Sequence, residues 1–259
     1  MRQTAGSCLV RLARFNPPCI QTVVEKLSLK EIASSFVKGS AREQQVCLNL
    51  LNMAMIGSHT FTSFGRHLVT LTEEKNLFPS LLSIIEQGTE VLRGKALLFV
   101  AFLCKNSRRW LTNFFCNARF LPVVDRLAKE KDSYLQQCLE AFVNVIASII
   151  PGMLDTITND IQQLMTGRRH GPVSPLNSRA PVKTNAHLFP VVLHLLGSSS
   201  FKNKMVTPQV LRQLANLTKL VEASFQVSSY NIDIPFYINE MLSVILFCTN
   251  GLGQLLINI

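Results

Sequence analysis

The segment nearest to reactive chemistry is 88–96, which reads Gly-Thr-Glu-Val-Leu-Arg-Gly-Lys-Ala. A phosphate-binding loop has four residues between its glycines, a Ser or Thr after the lysine to meet magnesium, and a strand before it. Here five residues separate Gly88 from Gly94, Ala96 replaces the hydroxyl, and the segment lies in or beside a helix. The motif is therefore rejected. No nucleophile elbow, zinc-protease pair or set of kinase catalytic motifs is found in the 259 residues. The 16 acids are thinly scattered and supply no carboxylate pair for acid–base work. Seven cysteines (Cys8, Cys19, Cys47, Cys104, Cys116, Cys138, Cys248) contain no C-x-x-C pair, and the histidines stand at no ligand spacing to them. That pattern reads as reduced thiols on apolar helix faces, not as disulfides or a zinc site. The expectation is no catalytic residue, no cofactor and no metal, in a chain that works by binding.

Residues suited to binding are easier to find. The stretch 166–184 is polar, basic and proline-rich, and holds Arg168, Arg169, Pro172, Ser174 and Pro175. It predicts a loop set between helices. Ser174 before Pro175 suits a proline-directed kinase, which would place negative charge beside Arg168, Arg169 and Arg179. Arg169, Pro172 and Pro175 also have the spacing of a short polyproline ligand. The plain alternative is a connecting loop. The net charge of +10 is spread along residues 1–219, with local density only at Arg108-Arg109 and Arg168-Arg169. No base-stacking aromatics interleave with it, so nucleic acid is not the expected partner. A basic stripe assembled across repeats, binding a polyanion such as nucleic acid or acidic tubulin tails, is the alternative reading.

The termini are read separately. Residues 1–27 form an N-terminal helix or partial repeat; Arg2, Arg11 and Arg14, with no acid before Glu25, faintly resemble a mitochondrial presequence. Residues 223–259 form an atypical apolar tail. Its run Met241–Cys248 has eight apolar residues against the ~20 needed to cross a bilayer, so no membrane span is expected.

The elements between them are helical. Ser28 with Glu31, and Ser40 with Glu43, have the capping-box spacing, and each precedes an amphipathic segment punctuated by Gly39 or Gly57. Further helices are expected at about 61–71, 77–87, 90–105, 107–115, 118–129, 133–150, 152–165, 185–196 and 207–222. One phrase occurs three times: Leu77-Phe78-Pro79, Phe120-Leu121-Pro122 and Leu188-Phe189-Pro190, each opening a short helix before a longer, more apolar one. Pro79 to Pro122 is a step of 43 residues, and the run Phe99–Leu103 falls on Phe142–Ile146 at the same offset. Such a period marks stacked helix pairs, because a two-helix unit cannot bury both faces alone. The fold class is all-α, an armadillo/HEAT-type α-solenoid of about four stacked helix pairs over residues 28–222. In such folds an Asn on the second helix can face the concave groove and bond the backbone of a bound peptide. Asn52, Asn144 and Asn216 follow similar apolar pairs and are the candidates, the alternative being that each caps or fills a helix position.

Residues 44–52, 77–105, 120–150 and 188–220 together resemble the C-terminal armadillo/HEAT region of the Fused-like and unc-51-like kinase group, nearest its pseudokinase branch. The resemblance implies a regulatory protein-interaction scaffold in cilium- or microtubule-linked kinase signalling, without the kinase-like domain. It implies signalling kinases or cytoskeletal and ciliary components as partners, and a cytoplasmic, ciliary or cytoskeletal location.

Overall fold

Proline in the first turn and glycine just past the last turn set the limits of the short helices. In the computed structural model, which describes residues 2–58, 62–166 and 185–228, all regular structure is helical. The helices are α1 (Arg2–Phe15), α2 (Ile20–Lys26), α3 (Leu29–Lys38), α4 (Ala41–Ser58), α5 (Thr62–Glu74), α6 (Phe78–Gln87) and α7 (Glu90–Asn106). They continue as α8 (Arg108–Phe115), α9 (Phe120–Leu127), α10 (Ser133–Thr166), α11 (Phe189–Gly197), α12 (Ser199–Met205) and α13 (Pro208–Ser228). The all-α helical-repeat class expected from the sequence is the class observed.

The repeated phrase has one structural meaning. Counting from its proline, the residues two before, two after and five after are Leu77, Leu81 and Ile84 in one copy. They are Phe120, Val124 and Leu127 in the next, and Leu188, Val192 and Leu195 in the last, and all nine are buried. This is one apolar helix stripe at spacing i, i+4, i+7. Pro79 and Pro190 fall at the start of α6 and α11, where a missing N–H breaks no intrahelical bond.

A second repeated device was not evident from spacing. The fourth residue of α4, α7 and α10 is Gln44, Arg93 and Gln136. Each donates from its side chain to a carbonyl at the end of the helix before it: Gln44 Nε2 to Phe36 O at 3.1 Å, Arg93 to Glu86 O at 3.3 Å, and Gln136 Nε2 to Leu127 O at 2.8 Å. The last carbonyls of a helix have no intrahelical donor. These clasps supply one and tie each first helix to its own second helix. They define three pairs, α3/α4, α6/α7 and α9/α10. Gly39 and Gly88 close α3 and α6 for a steric reason: an added Cβ would stand 2.5 Å from Ser35 O and 2.6 Å from Ile84 O respectively.

Three local expectations are corrected. Ser28 makes no side-chain bond at the start of α3, whereas the Ser40 N–H and hydroxyl both donate to Glu43 Oε2, at 2.8 and 3.0 Å. Pro151 and Gly152 predict a break, yet α10 runs unbroken through them. The Pro151 carbonyl accepts from Gln213 Nε2 at 3.1 Å, a partner on α13. α12, with the sequence Ser-Ser-Phe-Lys-Asn-Lys-Met, is a helix the sequence pattern did not mark; Phe201 and Met205 bury its inner side. Within α10, Ser133–Gln163 is long and apolar enough to cross a membrane by length and composition alone, with mean hydropathy 1.5. Its apolar residues Leu135, Leu139, Phe142, Ile146, Ile150, Leu154 and Ile157 are buried in the protein's own core.

The chain divides into two compact units, Met1–Ile146 and Ala147–Ile259. In the first, α4 packs on α1, α2, α3 and α7, and α7 on α6 and α8. A ring cluster closes its far side. Phe114 on α8 lies 4.9 Å from Phe78, 5.6 Å from Trp110 and 4.8 Å from Phe120, and Phe115 and Phe120 reach Phe142. In the second unit α11 packs on α12, and Val210, Leu214, Leu217 and Val221 of α13 are buried. Asp160 accepts there from the Asn185 backbone and side chain at 2.7 and 2.8 Å.

Candidate functional site

The clasps give a register for testing the asparagines. Asn52 is the twelfth residue of α4 and Asn144 the twelfth of α10, so the two are equivalent; the twelfth residue of α7 is Ala101, which is buried. A row of groove asparagines is thus interrupted in the middle pair. Asn144 is exposed, and so is Asn216 on α13 in the second unit. Asn52 is half-buried and donates its amide to Lys95 O of α7 at 3.1 Å, while its Oδ1 is buried with no partner. Donation to the Lys95 carbonyl fixes which way the amide points, leaving the acceptor orphaned.

Asn52 also borders a cavity of about 170 Å³ walled by α1, α4, α7 and the start of α10. Arg14, Lys95 and Tyr134 supply its polar rim, and Met53 and Leu98 part of its apolar wall; no Asp or Glu lines it. The Lys95 ammonium is held below its ordinary pKa, first by burial and then by the nearby Arg14 guanidinium. Burial pushes the Tyr134 phenol up to about 12, helped by its hydrogen bond to Cys138, so it stays a neutral donor at physiological pH. Neither Arg14 nor Lys95 has an ion pair among the described residues, whereas Arg93 pairs with Glu130 at 2.8 Å, and Arg119 with Glu86. On the other flank of α1 a wider hollow of about 640 Å³ contains Lys30 together with Glu31 and Glu43, so its charges are mixed.

One boundary of the cavity is set by Gly94. A Cβ there would stand 3.0 Å from both Cys138 Sγ and Tyr134 Cε1, so α7 and α10 touch at this point. The look-alike phosphate loop is therefore packing: Gly88 ends α6, while Gly94 and Lys95 are inside α7. The described cysteines are free, with Cys47, Cys104 and Cys138 buried and their thiols pushed up chiefly by burial. No group of three His, Cys, Asp or Glu side chains able to hold a metal occurs among the described residues. Arg168, Arg169, Pro172, Ser174 and Pro175, and the run Met241–Cys248, lie outside the described residues.

Sequence reading missed Arg14, Lys95 and Tyr134. They are distant in the chain and of ordinary type, and only the packing of α1 and α10 on the α4–α7 pair brings them together. A usable signal was the position of Lys95, a lysine directly before the apolar run Ala96–Cys104 of α7.

Comparison with known proteins bears on both units. Residues 153–250 match the family described as serine/threonine-protein kinase ULK4-like, HEAT repeats. The match includes residues 223–250. Serine/threonine-protein kinase ULK4 of Mus musculus is 28% identical over 242 residues, which is 90% of this chain and 18% of that protein. The chain thus spans less than a fifth of the length of that relative. No solved structure matches.

Proposed function

We propose that this chain, which is similar to the HEAT-repeat region of ULK4-like serine/threonine-protein kinases, is a non-catalytic scaffold that binds partner proteins along its helix pairs. The observation that carries this reading is the cavity beside Asn52. Small-molecule sites usually enclose ~300–1,000 Å³, whereas this one offers about 170 Å³ between two cations and an apolar wall. That space suits a single side chain of another protein better than a substrate.

The partners we assign are signalling kinases and cytoskeletal or ciliary components, met in the cytoplasm or at the cilium. The support is the resemblance to the unc-51-like group and the name of the mouse relative, a serine/threonine-protein kinase. Exposed Asn144 and Asn216 are proposed as partner contacts. Arg168, Arg169, Pro172, Ser174 and Pro175 are proposed as a regulatory segment, to be checked by phosphopeptide mapping under active proline-directed kinases.

The main test is site-specific photo-crosslinking of the full chain in ciliated cells. Crosslinkers at positions 144 and 216 are expected to give discrete protein adducts, and crosslinkers at Lys38 and Lys129, both exposed, are expected to give few. Equal labelling from all four positions would refute the scaffold surface.

A further inference from the structure

We infer that the cavity walled by α1, α4, α7 and α10 is an anchor for a glutamate side chain from an acidic segment of a partner protein, held between Arg14 and Lys95. This deepens the scaffold reading and rests on it.

Three observations converge. The first is charge: two cations border the same small space, no acid lines it, and neither cation is in an ion pair among the described residues. Elsewhere in the same unit Arg93, Arg109 and Arg119 each have a glutamate. The second is desolvation. Lys95 is half-buried, and the adjacent Arg14 makes its charge still less favourable. A carboxylate arriving between them would relieve both penalties, because charge-assisted bonds are strongest where water is scarce. The third is shape. Met53 and Leu98 offer apolar wall below the cationic rim, which matches a side chain with methylenes behind its carboxylate. Inorganic phosphate has no such stem.

The surrounding groups fit the same occupant. Tyr134 stays a neutral phenol, so it brings no negative charge to repel a carboxylate. Arg14 is exposed and Lys95 half-buried, so Arg14 is the more accessible of the two to an incoming acid.

The test uses the full chain and a fluorescein-labelled twelve-residue peptide of alternating Glu and Gly, read by fluorescence polarisation at about 0.15 M salt. The Glu peptide is expected to bind about tenfold more weakly to Arg14→Leu/Lys95→Met. Lys129→Ala/Lys131→Ala removes the same charge elsewhere and should bind nearly as the parent chain does. Lys95→Arg, which keeps the cation, should restore most of the affinity and so show that loss in the Met variant is not misfolding. The matching Gln peptide and inorganic phosphate should fail to bind or to compete. Equal losses in the two double variants would overturn the anchor in favour of diffuse attraction. Equal binding of the Gln peptide would overturn the carboxylate. An oligothymidylate that binds more tightly and is lost in the same variants would reassign the site to nucleic acid. Failure of the peptide with position-specific crosslinks intact removes the anchor alone; failure of both removes the scaffold reading as well.

Discussion

Two sides of the first unit treat the α7 helix in opposite ways. Toward α6, α8 and α9 the packing is tight: Phe78, Trp110, Phe114, Phe115, Phe120 and Phe142 interlock, Gly94 lets α10 come into contact, and Trp110 Nε1 is left buried without a partner. Toward α1 and α4 the same helix borders a cavity, an orphaned amide oxygen and an unpaired lysine. The closed side spends its residues on dispersion and area burial, which stabilise without regard to partner. The open side holds desolvated polar groups that cost stability until something pairs with them. On the proposed reading, stability and binding are divided between two faces of one helix.

The contrast can be broken most directly at Phe114. Its ring touches three others and is wholly buried, so Phe114→Ala is expected to cost about 3–5 kcal/mol, measured by urea denaturation. A loss under 1 kcal/mol would mean that the ring cluster is not what closes this side. Gly94→Ala comes next. Overpacking against Cys138 and Tyr134 costs about 1–3 kcal/mol, partly offset by the ~1 kcal/mol that Ala gains over Gly in a helix. Adding Cys138→Ala should return most of the loss; if it does not, the contact at 3.0 Å is not what limits the approach.

On the open side the expected effects are smaller. Asn52→Leu gives up the bond to Lys95 O but also removes a buried Oδ1 with no partner. The two changes offset, and the net shift should stay within about 1 kcal/mol. A loss as large as that from Phe114→Ala would erase the distinction between the two sides. The smallest effect concerns acid. The Glu43 carboxyl is held below its ordinary range, first by the Ser40 N–H, then by the Ser40 hydroxyl, then by the Gln3 side chain. A carboxylate with a lowered folded pKa stabilises above its unfolded value of about 4.3, and that contribution is lost as pH falls through the folded value. Glu43→Gln should therefore lower the neutral-pH Tm slightly and flatten its decline on acidification, the two chains converging as pH falls through the folded value. An unaltered acid profile would remove Glu43 from the account.

What could be read from the sequence follows from how local each interaction is. Ser40 and Glu43 are three residues apart and bond as expected. Ser28 and Glu31 have the same spacing, but Ser28 makes no side-chain cap, so the motif marks the helix start without fixing the bond. The phrase around Pro79, Pro122 and Pro190 could be found because its buried positions lie within one helix. The clasps were harder: Gln44, Arg93 and Gln136 differ in type, and what repeats is their place in the helix. Pro151 misled, since α10 runs on through it although it supplies no N–H, and the bond its carbonyl accepts from Gln213, some sixty residues on, has no local signature. The cavity could not be read at all, as Arg14, Asn52, Lys95 and Tyr134 come from four helices and share no pattern.

The clasps carry a consequence for how such a chain can change length. One inserted residue between Gly88 and Glu90 would turn Arg93 by about 100° around the helix axis and carry it off the Glu86 carbonyl. An insertion ahead of α6 or α9 leaves every clasp intact, because each one lies inside its own pair. Whole pairs can therefore be gained, lost or exchanged at those outer joints, while the two-residue links inside α3/α4 and α6/α7 cannot be lengthened without unfastening the carbonyls they serve.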